Sequence, residues 1–277
     1  MAPATKSDPI GLFWWKGEPN FGDALSPLIV GALSDRAISH RGAGRCDMLA
    51  LGSLLQVMRK HYADPAVDGR RPVIWGAGLL RPVSSDFIAN VDIALLRGPV
   101  TAALLGVHTR RFGDPGLLAH LLLDDLRERQ DRVALIPHHS MVGTPAFERS
   151  IHSDPALDVI RPDADPLDVC RRISSSAHVI SASLHGLILA DCFGVASTWL
   201  APGTQSHLKY HDYAASIGRV MVNPTLAEDI PALLRGLPDR HELAHAEGIE
   251  RARQDLIETF PAQFRATMNT AGALAQA

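Results

Sequence analysis

The chain has 277 residues, of which 46% are hydrophobic and 21% are charged. This length and composition exclude a disordered or fibrous protein and predict two modest globular domains. The formal net charge of −3 provides no overall field that would hold nucleic acid or an acidic membrane. An anionic ligand would therefore need a local cluster of positive charge.

The three cysteines, Cys46, Cys170 and Cys192, stand far apart and include no CxxC pair. This spacing argues against a disulfide framework and against a cysteine-rich metal site, and it suits a reducing compartment. Charged residues and prolines precede the first apolar run, and no stretch approaches the roughly 18 apolar residues of a membrane span. We therefore expect no secretory signal, no transmembrane segment and a cytoplasmic location.

Short apolar runs that end in glycine or a polar turn alternate with helical patterns along the chain. The predicted strands are Ile10–Trp15, Asp47–Gly52, Val73–Gly78, Asp92–Leu96, Arg132–Pro137, His178–Ala182 and Ala196–Leu200. The predicted helices include Asp23–Leu33, Pro99–Leu105, Gly116–Leu126, Leu184–Phe193, Leu226–Leu233 and Glu242–Phe260. This repeated order predicts an α/β fold with parallel sheets wrapped by helices.

The densest charge cluster, Asp124–Arg132, lies between two such units. We place the domain boundary there, with an N-terminal Rossmann-like domain at residues 1–130. A C-terminal Rossmann-like domain with terminal helices follows at residues 131–277. Two such domains facing one another create a cleft, and ligands of parallel sheets bind outside the carboxyl ends of the strands.

His185 lies where the segment Val179–Asp191 passes from a predicted strand into a predicted helix. The positive end of a helix favours a neutral imidazole, and its backbone N–H groups attract an anion. His185 could therefore contact a phosphate or exchange a proton. The alternative is a partly buried histidine that is hydrogen-bonded to the backbone.

The segment Asn20-Phe-Gly-Asp follows the first predicted strand. Gly22 would allow a close approach of the backbone, and Asp23 is predicted to cap the following helix. If Asp23 points into the cleft instead, its carboxylate could hold or deprotonate a hydroxyl.

Arg97 directly follows a predicted strand, and Pro99 suits the first turn of the next helix. We expect the planar fork of Arg97 to enter the cleft and to pair with a carboxylate or phosphate. A structural salt bridge is the alternative. Asp114, in Gly113-Asp-Pro-Gly, is predicted to be mainly a turn residue.

His138 and His139 follow the first predicted strand of the second half and are expected to face the cleft, and the alternative for each is a solvated loop histidine. No third ligand stands at metal spacing, so zinc is not predicted. Lys209 could supply a second cation to an anionic ligand, or it could be a solvated charge at the start of a helix. The sequence lacks GxGxxG after a strand, Walker A, GxSxG and HExxH motifs.

Taken together and in this order, six motifs resemble the polysaccharide pyruvyl transferase family. They are Asn20-Phe-Gly-Asp, Leu96-Arg-Gly-Pro-Val-Thr, Gly113-Asp-Pro-Gly-Leu-Leu, Ile136-Pro-His-His, Ser183-Leu-His-Gly and Lys209-Tyr-His-Asp-Tyr. The resemblance implies two Rossmann-like domains arranged as in GT-B glycosyltransferases. It also implies transfer of the enolpyruvyl unit of phosphoenolpyruvate to a sugar, usually as a ketal bridging two hydroxyls, with release of phosphate.

The same resemblance implies phosphoenolpyruvate as the donor substrate and requires no metal or other cofactor. The acceptor would be a carbohydrate of a polysaccharide or its precursor. A lipid-linked acceptor would bring the protein to the inner face of the membrane. Nucleic acid is not expected as a partner, because the net charge of −3 provides no field to hold it.

The resemblance assigns catalytic roles to His185, Asp23 and Arg97. It assigns substrate binding to Asn20, Gly22, His138, Ser183, Gly186, Lys209 and Arg111. Many members carry an arginine two residues before the histidine, where this chain has Ser183. Part of the phosphoenolpyruvate clamp must then come from elsewhere, and Arg111, Lys209 and His138 are the candidates.

Two other function classes stay open at this point. A GT-B glycosyltransferase that uses a nucleotide sugar would need a diphosphate-binding loop and a ribose-binding carboxylate, for which Glu228 and Asp229 are the candidates. A non-catalytic module that binds sugar or phosphate is the other alternative. Thermal stabilisation by phosphoenolpyruvate, but not by nucleotide sugars, would separate the transferases.

Overall fold

The computed structural model describes residues 8–124, 128–144, 147–148, 157–237 and 243–266, which form two parallel β-sheets with helices packed against them. The first sheet has the order β2-β1-β3-β4-β5, and its strands are Ile10–Phe13 (β1), Ile38–His40 (β2), Met48–Leu49 (β3), Val73–Ala77 (β4) and Asp92–Leu96 (β5). The second has the order β7-β6-β8-β9, with Val133–Ile136 (β6), Leu157–Val159 (β7), His178–Ser181 (β8) and Ser197–Trp199 (β9). All recorded strand pairs are parallel. The predicted α/β class with two Rossmann-like sheets is confirmed.

Helices alternate with the strands along the chain, and helices Leu55–Tyr62 and Pro166–Ser174 and strands Ile38–His40 and Leu157–Val159 add to the elements that the sequence predicts. The helices are Phe21–Ser34 (α1), Leu55–Tyr62 (α2), Pro99–Leu105 (α3), Pro166–Ser174 (α4), Leu184–Cys192 (α5), Leu208–Ile217 (α6), Ile230–Arg235 (α7) and Ala246–Thr259 (α8). No helix within the described ranges is long and apolar enough to cross a membrane.

Where the structure describes the predicted helix Gly116–Leu126, it has a 3₁₀ helix at Pro115–Leu122, and residues 125–126 lie outside the described part. Asp114 caps it, because its Oδ1 accepts a hydrogen bond from Gly116 N at 2.9 Å. The prediction of Asp114 as a turn residue is confirmed. A Cβ at Gly116 would lie 2.8 Å from Ile188 Cγ2, so this glycine allows the 3₁₀ helix to pack closely on α5.

Helices cover the inner strands β1, β4, β6 and β8, which are almost fully buried and mostly apolar, whereas the edge strands β2 and β7 are more exposed and carry polar residues. All five residues of β4 are buried, and Trp75 is the largest fully buried side chain there. Trp75 Nε1 donates to Leu256 O at 3.2 Å, and its ring meets Phe260 edge-on at 5.0 Å. These contacts attach the C-terminal helix α8 to the first sheet.

The two sheets lie on either side of the expected boundary, since β5 ends at Leu96 and β6 begins at Val133. The expected C-terminal domain included α8, and the structure packs α8 against α6 of that half as well as against β4 and β5 of the first sheet. The sequence pattern predicts an amphipathic helix at this position, but it cannot indicate which sheet the helix covers. The domain bounds themselves stay a prediction.

Candidate functional site

A pocket of about 360 Å³ opens between the two sheets, at the carboxyl ends of their strands. Residues that follow β1, β3 and β4 form one wall, and residues that follow β6, β8 and β9 form the other. The lining comprises Trp15, Asn20, Asp23, Ser53, Leu54, Gln56, Val57, Leu80, His138, Ser183, Leu184, His185, Gln205 and Lys209. This is where ligands of parallel α/β sheets bind, and the predicted cleft is present.

Four helices in the described part of the chain begin at this pocket. Asn20 precedes α1, Leu54 precedes α2, Ser183 precedes α5, and Lys209 stands in the first turn of α6. Each helix N-terminus carries a partial positive charge and unpaired backbone N–H groups. Backbone N–H groups at converging helix N-termini favour an anionic ligand without a large net charge on the chain.

The cap of α1 differs from the prediction. Asn20 is the N-cap, in an extended conformation, and its Oδ1 accepts from Gly22 N at 2.8 Å. The predicted cap, Asp23, lies inside the first turn and lines the pocket. The prediction that Asp23 caps the helix is therefore wrong, and its alternative, a carboxylate facing the cleft, is observed.

Gly22 permits a close contact between α1 and His185. A Cβ at Gly22 would overlap the imidazole, reaching 2.5 Å from its Cγ, so another residue could not occupy this position without moving the ring. His185 Nε2 is buried and has no hydrogen-bond partner within the described residues. Buried polar atoms are normally paired, so an unpaired ring nitrogen at a pocket wall indicates a place for a ligand atom.

Three titratable groups in the pocket have shifted pKa values. Burial raises the pKa of Asp23 to about 6, and the positive charge of Lys209 offsets part of this rise. Burial lowers the pKa of Lys209 to about 8, with a further lowering by Arg97. Burial and the charges of Lys209 and Arg97 lower the pKa of His185 to about 3. Near pH 7 the pocket therefore holds a carboxylate, an ammonium and a neutral imidazole, and such clusters are typical of functional sites.

Arg97 does not point into the pocket. Its Nε and Nη2 lie 3.0 and 2.9 Å from Asp212 Oδ2, Nη2 also donates to Leu79 O at 3.0 Å, and both charged side chains are fully buried. The expected orientation of the fork is wrong because Asp212, 115 residues further along the chain, binds it. The alternative, a structural salt bridge, is observed. Arg97 reaches the pocket wall through one contact, in which Nη1 donates to Ser53 Oγ at 2.6 Å.

Two further predicted binding residues lie outside the pocket. Arg111 is exposed and pairs with Asp255 and Glu258 of α8, at 3.6 and 3.1 Å, so it cannot supply the missing clamp arginine in this structure. Gly186 packs α5 against β8, because a Cβ there would overlap Ser181 Oγ. Its role is close packing, and it makes no part of the pocket wall.

Ser183 and His138 line the pocket from the second half, as predicted. The Ser183 side chain makes no capping hydrogen bond to α5. His138 Nδ1 lies 2.9 Å from Ser140 Oγ. The side chain of His139 lies outside the described part of the structure. Sequence analysis missed Ser53, although its position directly after a strand and a glycine was an available signal.

Trp15 was also missed as a site residue. It lines the mouth of the pocket, and 45% of its side chain is exposed. Glu228 and Asp229, the carboxylates that a nucleotide-sugar enzyme would have used, are exposed in the 3₁₀ turn Ala227–Asp229 and do not line the pocket. Across the described ranges, no group of three or more His, Cys, Asp or Glu residues is arranged to hold a metal ion.

Comparison with known families identifies the class. Residues 46–204 match the polysaccharide pyruvyl transferase family, which is more than half of the chain. The chain therefore belongs to the polysaccharide pyruvyl transferase family. The matched segment contains Arg97, His138 and His185.

Two curated relatives are similar to part of the chain. Succinoglycan biosynthesis protein ExoV of Rhizobium meliloti (strain 1021) is 34% identical over 137 residues, covering 46% of this chain and 41% of ExoV. Uncharacterized protein L143 of Acanthamoeba polyphaga mimivirus is 28% identical over 162 residues, covering 54% of this chain and 56% of L143. The matches thus span about half the length of these relatives.

Among solved structures, an uncharacterized protein from Klebsiella pneumoniae is similar, with a TM-score of 0.43 and 15% identity. The superposition covers 74% of this chain and 87% of that one. This likeness is weak, and the fold assignment rests on the two parallel sheets themselves.

Proposed function

We propose that the protein transfers the enolpyruvyl unit of phosphoenolpyruvate to a carbohydrate, forming a pyruvate ketal and releasing phosphate. Membership of the polysaccharide pyruvyl transferase family supports the class of reaction. Similarity to ExoV, named for succinoglycan biosynthesis, supports a polysaccharide acceptor or its precursor. The observation that carries the proposal is the convergence of Asp23, His185 and Lys209 in one pocket where four helices begin.

The donor substrate carries a phosphate and a carboxylate, and the pocket offers a binding group for both. Helix N-termini and the Lys209 ammonium attract the anion. The buried, unpaired Nε2 of His185 can donate a hydrogen bond to it when the neutral ring carries its hydrogen there. A volume of about 360 Å³ lies at the small end of ligand pockets, which suits a compact anion beside one sugar unit.

The acceptor would enter past Trp15. An exposed indole face at a pocket mouth can pack against the C–H face of a sugar ring while the hydroxyls of the sugar face the polar lining. This arrangement accommodates a free or a lipid-linked carbohydrate equally, because the remainder of the acceptor stays outside.

Ketal formation joins two sugar hydroxyl oxygens to C2 of the donor and breaks the C2–O bond to phosphate. One hydroxyl proton ends on the methylene carbon, which becomes a methyl group, and the other leaves with phosphate. Protonation of the methylene carbon creates an oxocarbenium-like centre at C2, which a hydroxyl attacks. The step therefore needs both an acid and a base.

Asp23 is assigned as the group that accepts the hydroxyl proton. Its pKa of about 6 leaves it ionised at pH 7 but close enough to neutrality to exchange a proton efficiently. His185 is neutral near pH 7, since its pKa is about 3. Burial is the main cause of this low pKa, and the charges of Lys209 and Arg97 add to it. The negative charge of a bound phosphate would raise the pKa, and His185 is therefore assigned as the proton donor in the complex.

The test is phosphate release by the purified chain in the presence of phosphoenolpyruvate and a carbohydrate acceptor. We expect release to require both substrates, and the acceptor to gain the mass of pyruvate less water. Phosphoenolpyruvate, unlike nucleotide-diphosphate sugars, should raise the melting temperature. Stabilisation by nucleotide sugars alone would indicate a glycosyltransferase, and binding without phosphate release would indicate a binding module.

A further inference from the structure

Ser53 lies in the loop between β3 and α2, on the wall of the pocket. The loop is anchored to the strand beside it, because Gly78 N donates to Gly52 O at 3.0 Å. Gly52 has φ of +105°, a conformation that glycine adopts without strain. This turn sets the direction in which the Ser53 side chain leaves the backbone.

Arg97 determines that the Ser53 hydroxyl accepts the hydrogen bond between the two side chains. Arg97 Nη1 can only donate, so Ser53 Oγ must accept the 2.6 Å hydrogen bond between them. The serine hydrogen is then directed away from Arg97. Within the described residues it meets no acceptor at hydrogen-bonding distance, and the side chain lines the pocket. The hydroxyl is therefore presented to the pocket as a donor.

The guanidinium that orients Ser53 is itself immobilised. Asp212 Oδ2 accepts from Arg97 Nε and also from Thr101 Oγ1, at 3.0 and 2.7 Å, while Asp212 Oδ1 accepts from Thr101 N at 2.8 Å. A Cβ at Gly78 would overlap the guanidinium, so this glycine provides the space that Arg97 occupies. The network links β5 of the first sheet to α6 of the second half.

The charges of Arg97 and Asp212 beside Ser53 determine which kind of ligand atom its hydroxyl favours. Asp212 binds the Nε and Nη2 side of the guanidinium, whereas Nη1 faces Ser53. A hydroxyl that accepts from a cation is polarised and becomes a stronger donor. Since Ser53 also stands at the start of α2, an anionic oxygen is a better partner for it than a neutral sugar hydroxyl.

We propose that Ser53 donates a hydrogen bond to an anionic oxygen of the donor substrate, and that Arg97 and Asp212 are positioning residues for Ser53. This inference rests on the proposed function, because it assigns Ser53 to phosphoenolpyruvate. The anionic oxygen belongs either to the phosphate or to the carboxylate, and inhibition by inorganic phosphate and by pyruvate separates the two.

The experiment measures steady-state kinetics of Ser53→Ala with phosphoenolpyruvate and acceptor varied in turn. We expect kcat/KM for phosphoenolpyruvate to fall by about tenfold to a hundredfold, the usual effect of losing a hydrogen bond to a charged group. The KM of the acceptor should stay unchanged, and Ser53→Thr, which keeps the hydroxyl, should retain most of the activity. The inhibition constant that rises in Ser53→Ala, for inorganic phosphate or for pyruvate, identifies the group.

Ser39→Ala, on β2 and outside the pocket, is the matched control and should behave as the wild type. The positioning role predicts that Ser53→Ala has little further effect in an Asp212→Asn background. Ser53→Ala decides the proposal even if Asp212→Asn does not fold. An active wild type whose Ser53→Ala variant keeps kcat/KM within twofold, or loses affinity only for the acceptor, overturns the inference. A wild type that releases no phosphate contradicts the proposed function instead.

Discussion

Asp23 is expected to lower the stability of the folded protein at neutral pH. Burial raises its pKa from the ordinary 3.8 to about 6, so the folded chain binds a proton more tightly than the unfolded chain does. Stability therefore falls as pH rises through the window from about 4 to about 6. A shift of about two pKa units corresponds to at most about 3 kcal/mol.

Asp23→Asn should remove this cost. Asparagine has nearly the same shape without the charge, and Asn20, which caps α1, is untouched. We expect the variant to be more stable than the wild type by up to about 3 kcal/mol at pH 7.5, which is several degrees in melting temperature. The difference should shrink as pH falls from about 6 towards 4, and it should vanish only below the ordinary pKa of 3.8, where the carboxyl is protonated in both states. Pyruvyl transfer should be lost, because the amide cannot accept the hydroxyl proton.

The assay is thermal unfolding of both proteins between pH 4 and pH 8, followed by circular dichroism. Asp64→Asn, an exposed residue outside the pocket, is the control and should change neither the melting temperature nor its pH dependence. Equal melting temperatures at pH 7.5, or a difference that is the same at every pH, would refute the reasoning. Normal turnover by Asp23→Asn would separately remove Asp23 from the role of base.

Three further outcomes are expected. Gly22→Ala should abolish phosphoenolpyruvate binding, because the new Cβ would displace the His185 ring. Gly31→Ala on the same helix should be tolerated, since the atom nearest to its new Cβ would lie 3.5 Å away. Calorimetric titration with phosphoenolpyruvate compares the two variants. His185→Gln should lose transfer while its melting temperature stays within a few degrees, and substantial activity would leave only an anion contact for this residue. For Lys209, kcat/KM for phosphoenolpyruvate should fall as pH rises through about 8, because the ammonium is lost there, and Lys209→Arg should move this fall to higher pH. A pH profile that is identical in both proteins would contradict the last expectation.

Much of the site follows from local pattern combined with topology. A strand followed by a helix predicts that the residues between them lie at the carboxyl edge of a parallel sheet. Asp23, His185 and Lys209 each stand near such a junction, and the pocket brings all three together. The sequence could predict their location because it depends on the order of elements and not on which distant side chains meet.

Side-chain partners were harder to predict. Arg97 follows a strand as a ligand-binding arginine would, but its direction is set by Asp212, and nothing local to Arg97 indicates that partner. Arg111 likewise forms salt bridges with Asp255 and Glu258 of α8, which packs against the first sheet. Such pairs depend on the packing of elements far apart in sequence.

The helix cap failed for a different reason. Asn20 and Asp23 are three residues apart, and both are favourable N-cap residues with similar energies. The cap is decided by where the backbone leaves the extended conformation, which is at Asn20. Because the cap is at Asn20, Asp23 lies in the first turn of α1, where its side chain lines the pocket.

This chain has Ser183 where many family members have an arginine, and this difference changes how it would hold an anion. Arg111 is outside the pocket, and the guanidinium of Arg97 lies behind Ser53, so Lys209 is the lysine or arginine that lines the pocket wall in the described structure. An arginine clamp keeps its charge at every physiological pH, whereas a buried lysine whose pKa is about 8 does not. Lys209 would therefore hold the donor together with helix N-termini and the polarised Ser53 hydroxyl. Because the Lys209 ammonium loses its proton near pH 8, the affinity for the donor should depend more steeply on pH than it would with an arginine in its place.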